Sequence, residues 1–106
     1  MGYSPDSGEL IDPVLSLLNE HNGMLIYPNP FNQKVTIKFA HPETETVRIA
    51  LHDIMGRKVA EIFCGVVTAN TIYSFCYDAG GLSSGIYICQ VKTEEKNVNR
   101  KVLLLK

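Results

Sequence analysis

Hydrophobic and polar positions change period once along this chain, near residue 24. Before that point Val14, Leu17, Leu18 and His21 recur at helical spacing. They sit between Asp12-Pro13, an N-cap residue followed by the proline favoured at a first helical position, and the stop signal Asn22-Gly23. The spacing predicts a short helix over residues 13–22, which must dock on something to persist. After that point the period is two. Val35, Ile37 and Phe39 alternate with Lys34, Thr36 and Lys38, and Val47, Ile49 and Leu51 alternate with Thr46, Arg48 and His52. Asp53-Ile54-Met55-Gly56-Arg57 reads as a tight turn with Gly56 at positive φ, returning the chain into a strand over 58–67. Further strands are predicted over 71–77, 86–92 and 99–105, separated by the Gly/Ser-rich stretch 78–85 and the polar stretch 93–98. About seven short strands, with turn residues every 8–12 positions, predict an all-β fold, an antiparallel β-sandwich. The Gly, Ser, Pro and Asp of residues 1–9 read as a flexible tail.

Between the two regimes lies Tyr27-Pro28-Asn29-Pro30-Phe31. Two prolines fix two φ angles, remove two backbone donors and keep the residue before each out of the α region. The expectation is a stiff corner where the incoming chain meets the sandwich, with Tyr27 and Phe31 buried on one side of it. The domain is accordingly drawn over residues 24–106. Residues 1–23 are assigned to a linker or a tail belonging to whatever precedes the domain, with the short helix near its end.

Composition narrows the function classes. The chain has 106 residues, 45% of them hydrophobic, which suffices for one core. A formal net charge of −1 and the lack of a basic stripe argue against nucleic acid. No apolar run approaches the roughly 18–20 residues that span a bilayer. Residues 1–8 lack the charged and apolar regions of a signal peptide, so that if the domain is exported it is expected to be a piece of something longer.

The candidates for chemistry are sparse. Cys64, Cys76 and Cys89 are widely spaced without CxxC, and each has apolar or aromatic sequence neighbours. The expectation is three buried, unpaired thiols, with one disulfide plus a leftover thiol as the alternative. His21, His41 and His52 lie far apart and are read as having no ligand-type partner at i+2 or i+4, so no metal site is predicted. Glu43 and Glu45 near His41, and the pair Glu94-Glu95, read as solvated surface. No nucleophile elbow, phosphate loop or dinucleotide fingerprint occurs, so neither catalysis nor a cofactor is expected.

Four motifs in order carry a family resemblance: Tyr27-Pro28-Asn29-Pro30-Phe31-Asn32, then residues 47–59 containing Asp53-Ile54-Met55-Gly56-Arg57, then Leu82-Ser83-Ser84-Gly85-Ile86-Tyr87, and a terminal Arg100-Lys101-Val102-Leu103-Leu104-Leu105-Lys106. Over residues 24–106 the chain resembles the type A C-terminal sorting domain of the type IX (Por) secretion system. The resemblance implies an immunoglobulin-like sandwich at the end of a larger exported protein of Bacteroidetes. It implies passage through the periplasm, recognition by an outer-membrane translocon, and removal by a sortase-like peptidase as the cargo is attached to the surface or released. The partners are then the translocon, the peptidase and an N-terminal cargo, and the domain itself is expected to be a monomer without catalytic activity.

Each motif residue also has a plain structural reading. Gly56 and Gly85 suit turns, Asp53 belongs to the hairpin turn, and Tyr87, facing with Val91, suits the core. Arg100, Lys101, Val102, Leu104 and Lys106 are the recognition candidates, because a terminal edge strand can be read by β-addition. The alternative function is an accessory or carbohydrate-binding module of an extracellular enzyme. It requires an exposed aromatic platform, for which Tyr73, Phe75 and Tyr77 are the clustered supply.

Overall fold

The alternation over residues 24–106 becomes seven strands in the computed structural model, which describes residues 13–106. One helix, α1 (Pro13–Glu20), precedes β1 (Met24–Tyr27), β2 (Lys34–Phe39), β3 (Glu45–Asp53), β4 (Lys58–Val67), β5 (Tyr73–Asp78), β6 (Gly85–Lys92) and β7 (Asn97–Leu104). The strands form a three-stranded sheet, β1-β2-β5, and a four-stranded sheet, β4-β3-β6-β7, antiparallel throughout. This order is the constant-type immunoglobulin arrangement with its fourth strand moved across to pair with the third.

Every second residue faces the other sheet. Val35, Ile37 and Phe39 from β2, Val47, Ile49 and Leu51 from β3, Tyr87, Cys89 and Val91 from β6, and Val102 and Leu104 from β7 belong to one buried cluster. Each fully buried aliphatic side chain of this kind contributes about 1.5–3 kcal/mol. The predicted helix stops where expected: Asn22 and Gly23 take φ of 55° and 84°. Gly23 is required twice over, because a Cβ there would lie 2.7 Å from the Ala40 carbonyl oxygen. The helix docks through buried Leu17. The Arg100 guanidinium of β7 fastens its far end, donating to the carbonyls of His21 and, at 2.9 Å, Met24. The predicted N-cap, Asp12, lies outside the described residues.

Four expectations require correction. The Pro-Asn-Pro corner does not precede the sandwich, because β1 comes before it and is paired along its length with β2. Tyr27, at the end of that edge strand, is 41% exposed, whereas Phe31 is buried at 2%. Cys64 and Cys76 are exposed and Cys89 is buried, and all three are free thiols. The sequence context misled because neighbours in a strand face opposite ways: Phe75 and Tyr77 turn toward the core, which turns Cys76 out. The aromatic platform is likewise half-buried rather than displayed. Tyr73, Phe75 and Tyr77 pack against the core, and Phe63 of β4 lies 5.0 Å from Phe75 and 6.4 Å from Tyr73, ring centre to ring centre.

Candidate functional site

The motif stretches, far apart in sequence, are joined by the strand register. Asp53 pairs with Tyr87, and Tyr87 with Val102. Gly85 pairs with Leu104, which is bridged in turn by Phe31. All four motifs therefore meet at one end of the sandwich.

The hairpin tip is built on Asp53. Its Oδ1 accepts the N–H groups of Met55 (3.0 Å) and Arg57 (2.9 Å), and its Oδ2 accepts from the Arg57 Nε at 2.9 Å. These contacts, the Arg57 backbone N–H foremost, hold the Asp53 carboxyl below its ordinary value. Gly56, at φ 86° with open space beside it, lets the turn close. Ile54 and Met55 are thereby left 73% and 75% exposed at the tip. The Tyr87 hydroxyl donates to the Ser83 carbonyl four residues upstream at 2.7 Å, the tyrosine corner of immunoglobulin-like folds. Gly85 opens β6 at φ 157°, and exposed Ile86 follows it, bordering the hollow formed with Ile54, Met55 and Arg57.

The Pro-Asn-Pro corner covers the free edge of β7. The peptide bonds preceding Pro28 and Pro30 are both cis. Between the prolines, the Asn29 side chain receives the Leu103 N–H on Oδ1 (3.0 Å) and donates through Nδ2 to the Lys101 carbonyl (3.2 Å). Phe31 continues the pairing with its backbone: its N–H reaches the Leu103 carbonyl at 2.9 Å and its carbonyl receives the Leu105 N–H at 2.8 Å. An unpaired edge strand is a template for unwanted pairing, and the chain here supplies its own cover.

This arrangement redistributes the five recognition candidates. Arg100 is turned back onto the helix end, and Val102 and Leu104 are core residues. Lys106 is tied down, its N–H to the Ser84 hydroxyl (2.9 Å) and its Nζ to the Gly80 carbonyl (2.7 Å). Lys101 is exposed, and it borders a shallow hollow with Asn29, Pro30, Ile86 and Leu103.

The sequence matches the family described as "Secretion system C-terminal sorting domain" over residues 25–105. The chain belongs to this family. A search of curated proteins returns no match. The family's members are type IX sorting signals, so this sorting domain implies a cargo, the type IX machinery, and export across the outer membrane to the cell surface or the medium. No helix among the described residues is long and apolar enough to cross a membrane.

The three thiols of the sorting domain sit in different surroundings. Burial pushes the Cys89 thiol up to about 12, which keeps it protonated. Exposed Cys64 has the Arg48 guanidinium as its neighbour, donating to Sγ at 3.6 Å. At the end opposite the motifs, however, the fold assembles a group whose carboxylates are expected from sequence to be no more than solvated surface. His41, Glu43 and Glu45 each place a ligand-type atom within 4.8 Å of the others. Glu43 and Glu45 stand two and four positions after His41, a His-x-Glu-x-Glu spacing that contradicts the expectation of histidines without ligand-type partners.

Proposed function

We propose that this domain is the non-catalytic address of a larger exported cargo, that the type IX translocon reads it after passage through the periplasm, and that a sortase-like peptidase then removes it. The observation that carries the reading is the family match over residues 25–105. The meeting of all four motifs at one end supports a single reading surface there. Lys101 and Ile86 are its exposed side chains on β7 and β6. Residues 24–106 are the address and residues 1–23 the junction with the cargo. The docking of α1 through Leu17, with Arg100 clasping the turn that follows, protects part of this junction and favours a scissile bond ahead of the helix.

The test is a reporter carrying a signal peptide and fused ahead of residues 1–106, expressed in a bacterium that has a type IX system. Surface delivery is expected for the parent domain and reduced delivery for Lys101→Glu, which leaves the core untouched. Failure of the parent fusion to leave the periplasm would overturn the address reading, and equal delivery of both would remove Lys101 from the reading surface. Mass analysis of the delivered reporter's C-terminus locates the cut.

A further inference from the structure

His41 is the one histidine or charged-type residue among the described residues that the fold buries, at 8% exposure. Burying an imidazole is costly unless it has a purpose or a partner. Its ring stacks at 6.1 Å on Phe39, and its Nε2 is aimed outward at the Glu45 Oε2, with which it is in contact. The other Glu45 oxygen accepts the Glu94 N–H from the β6–β7 loop at 3.3 Å. The exposed Glu43 carboxylate completes the group, all three ligand-type atoms lying within 4.8 Å of one another. The supporting loop is pinned from the β4–β5 connection, where Asn70 N–H donates to the His41 carbonyl (2.8 Å) and Ala69 N–H to the Thr44 hydroxyl (2.9 Å).

We propose that His41, Glu43 and Glu45 form a binding site for a divalent transition-metal ion, zinc being the best match. One imidazole nitrogen and two carboxylate oxygens suit Zn²⁺ or Co²⁺, whereas an all-oxygen set would have suited Ca²⁺ or Mg²⁺. The two carboxylates repel each other across this span, and a dication neutralises both. On binding, the hydrogen bond between His41 and Glu45 opens. The Nε2 lone pair goes to the ion, any proton held between the pair is released to solvent, and water fills the remaining coordination positions. Glu94 N–H keeps Glu45 oriented, as outer partners of metal ligands do. The site would hold an ion at the end of the domain nearest α1, away from the motif end.

The experiment uses the full chain with Cys64→Ser and Cys76→Ser, so that exposed thiols cannot supply the metal ligands. Titration with Co²⁺ is followed by visible absorption and titration with Zn²⁺ by calorimetry. One ion per chain is expected, with Co²⁺ ligand-field bands and a Zn²⁺-dependent rise in melting temperature. Glu43→Gln, at an exposed position, is expected to weaken binding at least about tenfold while leaving the melting temperature of the ion-free protein unchanged. No binding up to about millimolar ion, undiminished binding by Glu43→Gln, or binding only when the cysteines are present would each overturn the proposal.

Discussion

Replacing Asn29 by alanine tests whether the Pro-Asn-Pro corner acts as a cover for the last strand. The substitution removes two hydrogen bonds, from Leu103 N–H to Oδ1 and from Nδ2 to the Lys101 carbonyl. It leaves both backbone bonds of Phe31 to β7 in place. A net hydrogen bond contributes about 0.5–1.5 kcal/mol, and the freed groups at this exposed edge can turn to water. The loss therefore falls in the lower part of the summed range, about 1–2 kcal/mol, or a fall of about 5–10 °C in melting temperature for a domain of this size. Urea unfolding measures the energy, and amide exchange locates it: the Leu103 N–H should lose protection while amides buried within β6 and β7 keep theirs. Asn29→Asp retains the acceptor for Leu103 but not the donor to Lys101, so Leu103 should stay protected although part of the stability is lost. If Leu103 exchanges no faster in Asn29→Ala than in the parent, the amide clamp contributes nothing and Phe31 alone covers the edge.

The remaining predictions concern the supports of the same fold. Arg100→Ala should cost about 2–4 kcal/mol by removing charge-assisted bonds to the His21 and Met24 carbonyls, and should raise amide exchange in α1, both readable by NMR at a series of urea concentrations. Gly56→Ala meets open space and should cost only the left-handed conformation, about 1–2 kcal/mol. Gly23→Ala, at nearly the same φ, adds a 2.7 Å clash with the Ala40 carbonyl, so its melting temperature should fall further, by the equivalent of about 1–3 kcal/mol. Acid should destabilise the domain because Asp53 and Glu45 are held below their ordinary values, Asp53 chiefly by the Arg57 N–H and Glu45 chiefly by the His41 hydrogen bond. A depressed carboxyl contributes stability above its unfolded value and loses it as pH falls through the folded one. The urea midpoint should therefore decline below about pH 4, and Asp53→Asn should flatten that decline.

Local pattern made the strands legible. Period-two alternation locates β2 and β3, and the Asp53–Arg57 turn locates β4, nearly to the residue, while a proline followed by Asn-Gly locates both ends of α1. What stayed illegible depends on partners distant in sequence. Nothing near Asn29 reveals that its amide meets the backbone of residues 101 and 103, and nothing near Arg100 reveals that its guanidinium closes a helix 79 positions earlier. The cysteines failed for a different reason. In a strand, alternation sends adjacent residues to opposite faces, so the inward-facing neighbours of Cys64 and Cys76 point to exposure rather than burial.

The placement of these residues alters how recognition by the secretion machinery can be tested. Deleting residues 100–106 looks like removal of a basic terminal label, yet it takes away Val102 and Leu104 from the core, the anchor of α1, and the groups that Asn29 and Phe31 bind. A truncated domain that is not exported has therefore lost its fold as well as any reading surface, and the two losses produce the same phenotype. Lys101 and Ile86 escape this confusion, because their side chains lie on the exposed face of the pair β6-β7 while their backbones keep the register. Substitutions there change what a receptor meets without changing what holds the strands together. An export defect confined to those two positions, with melting temperature unchanged, would separate recognition from folding where truncation cannot.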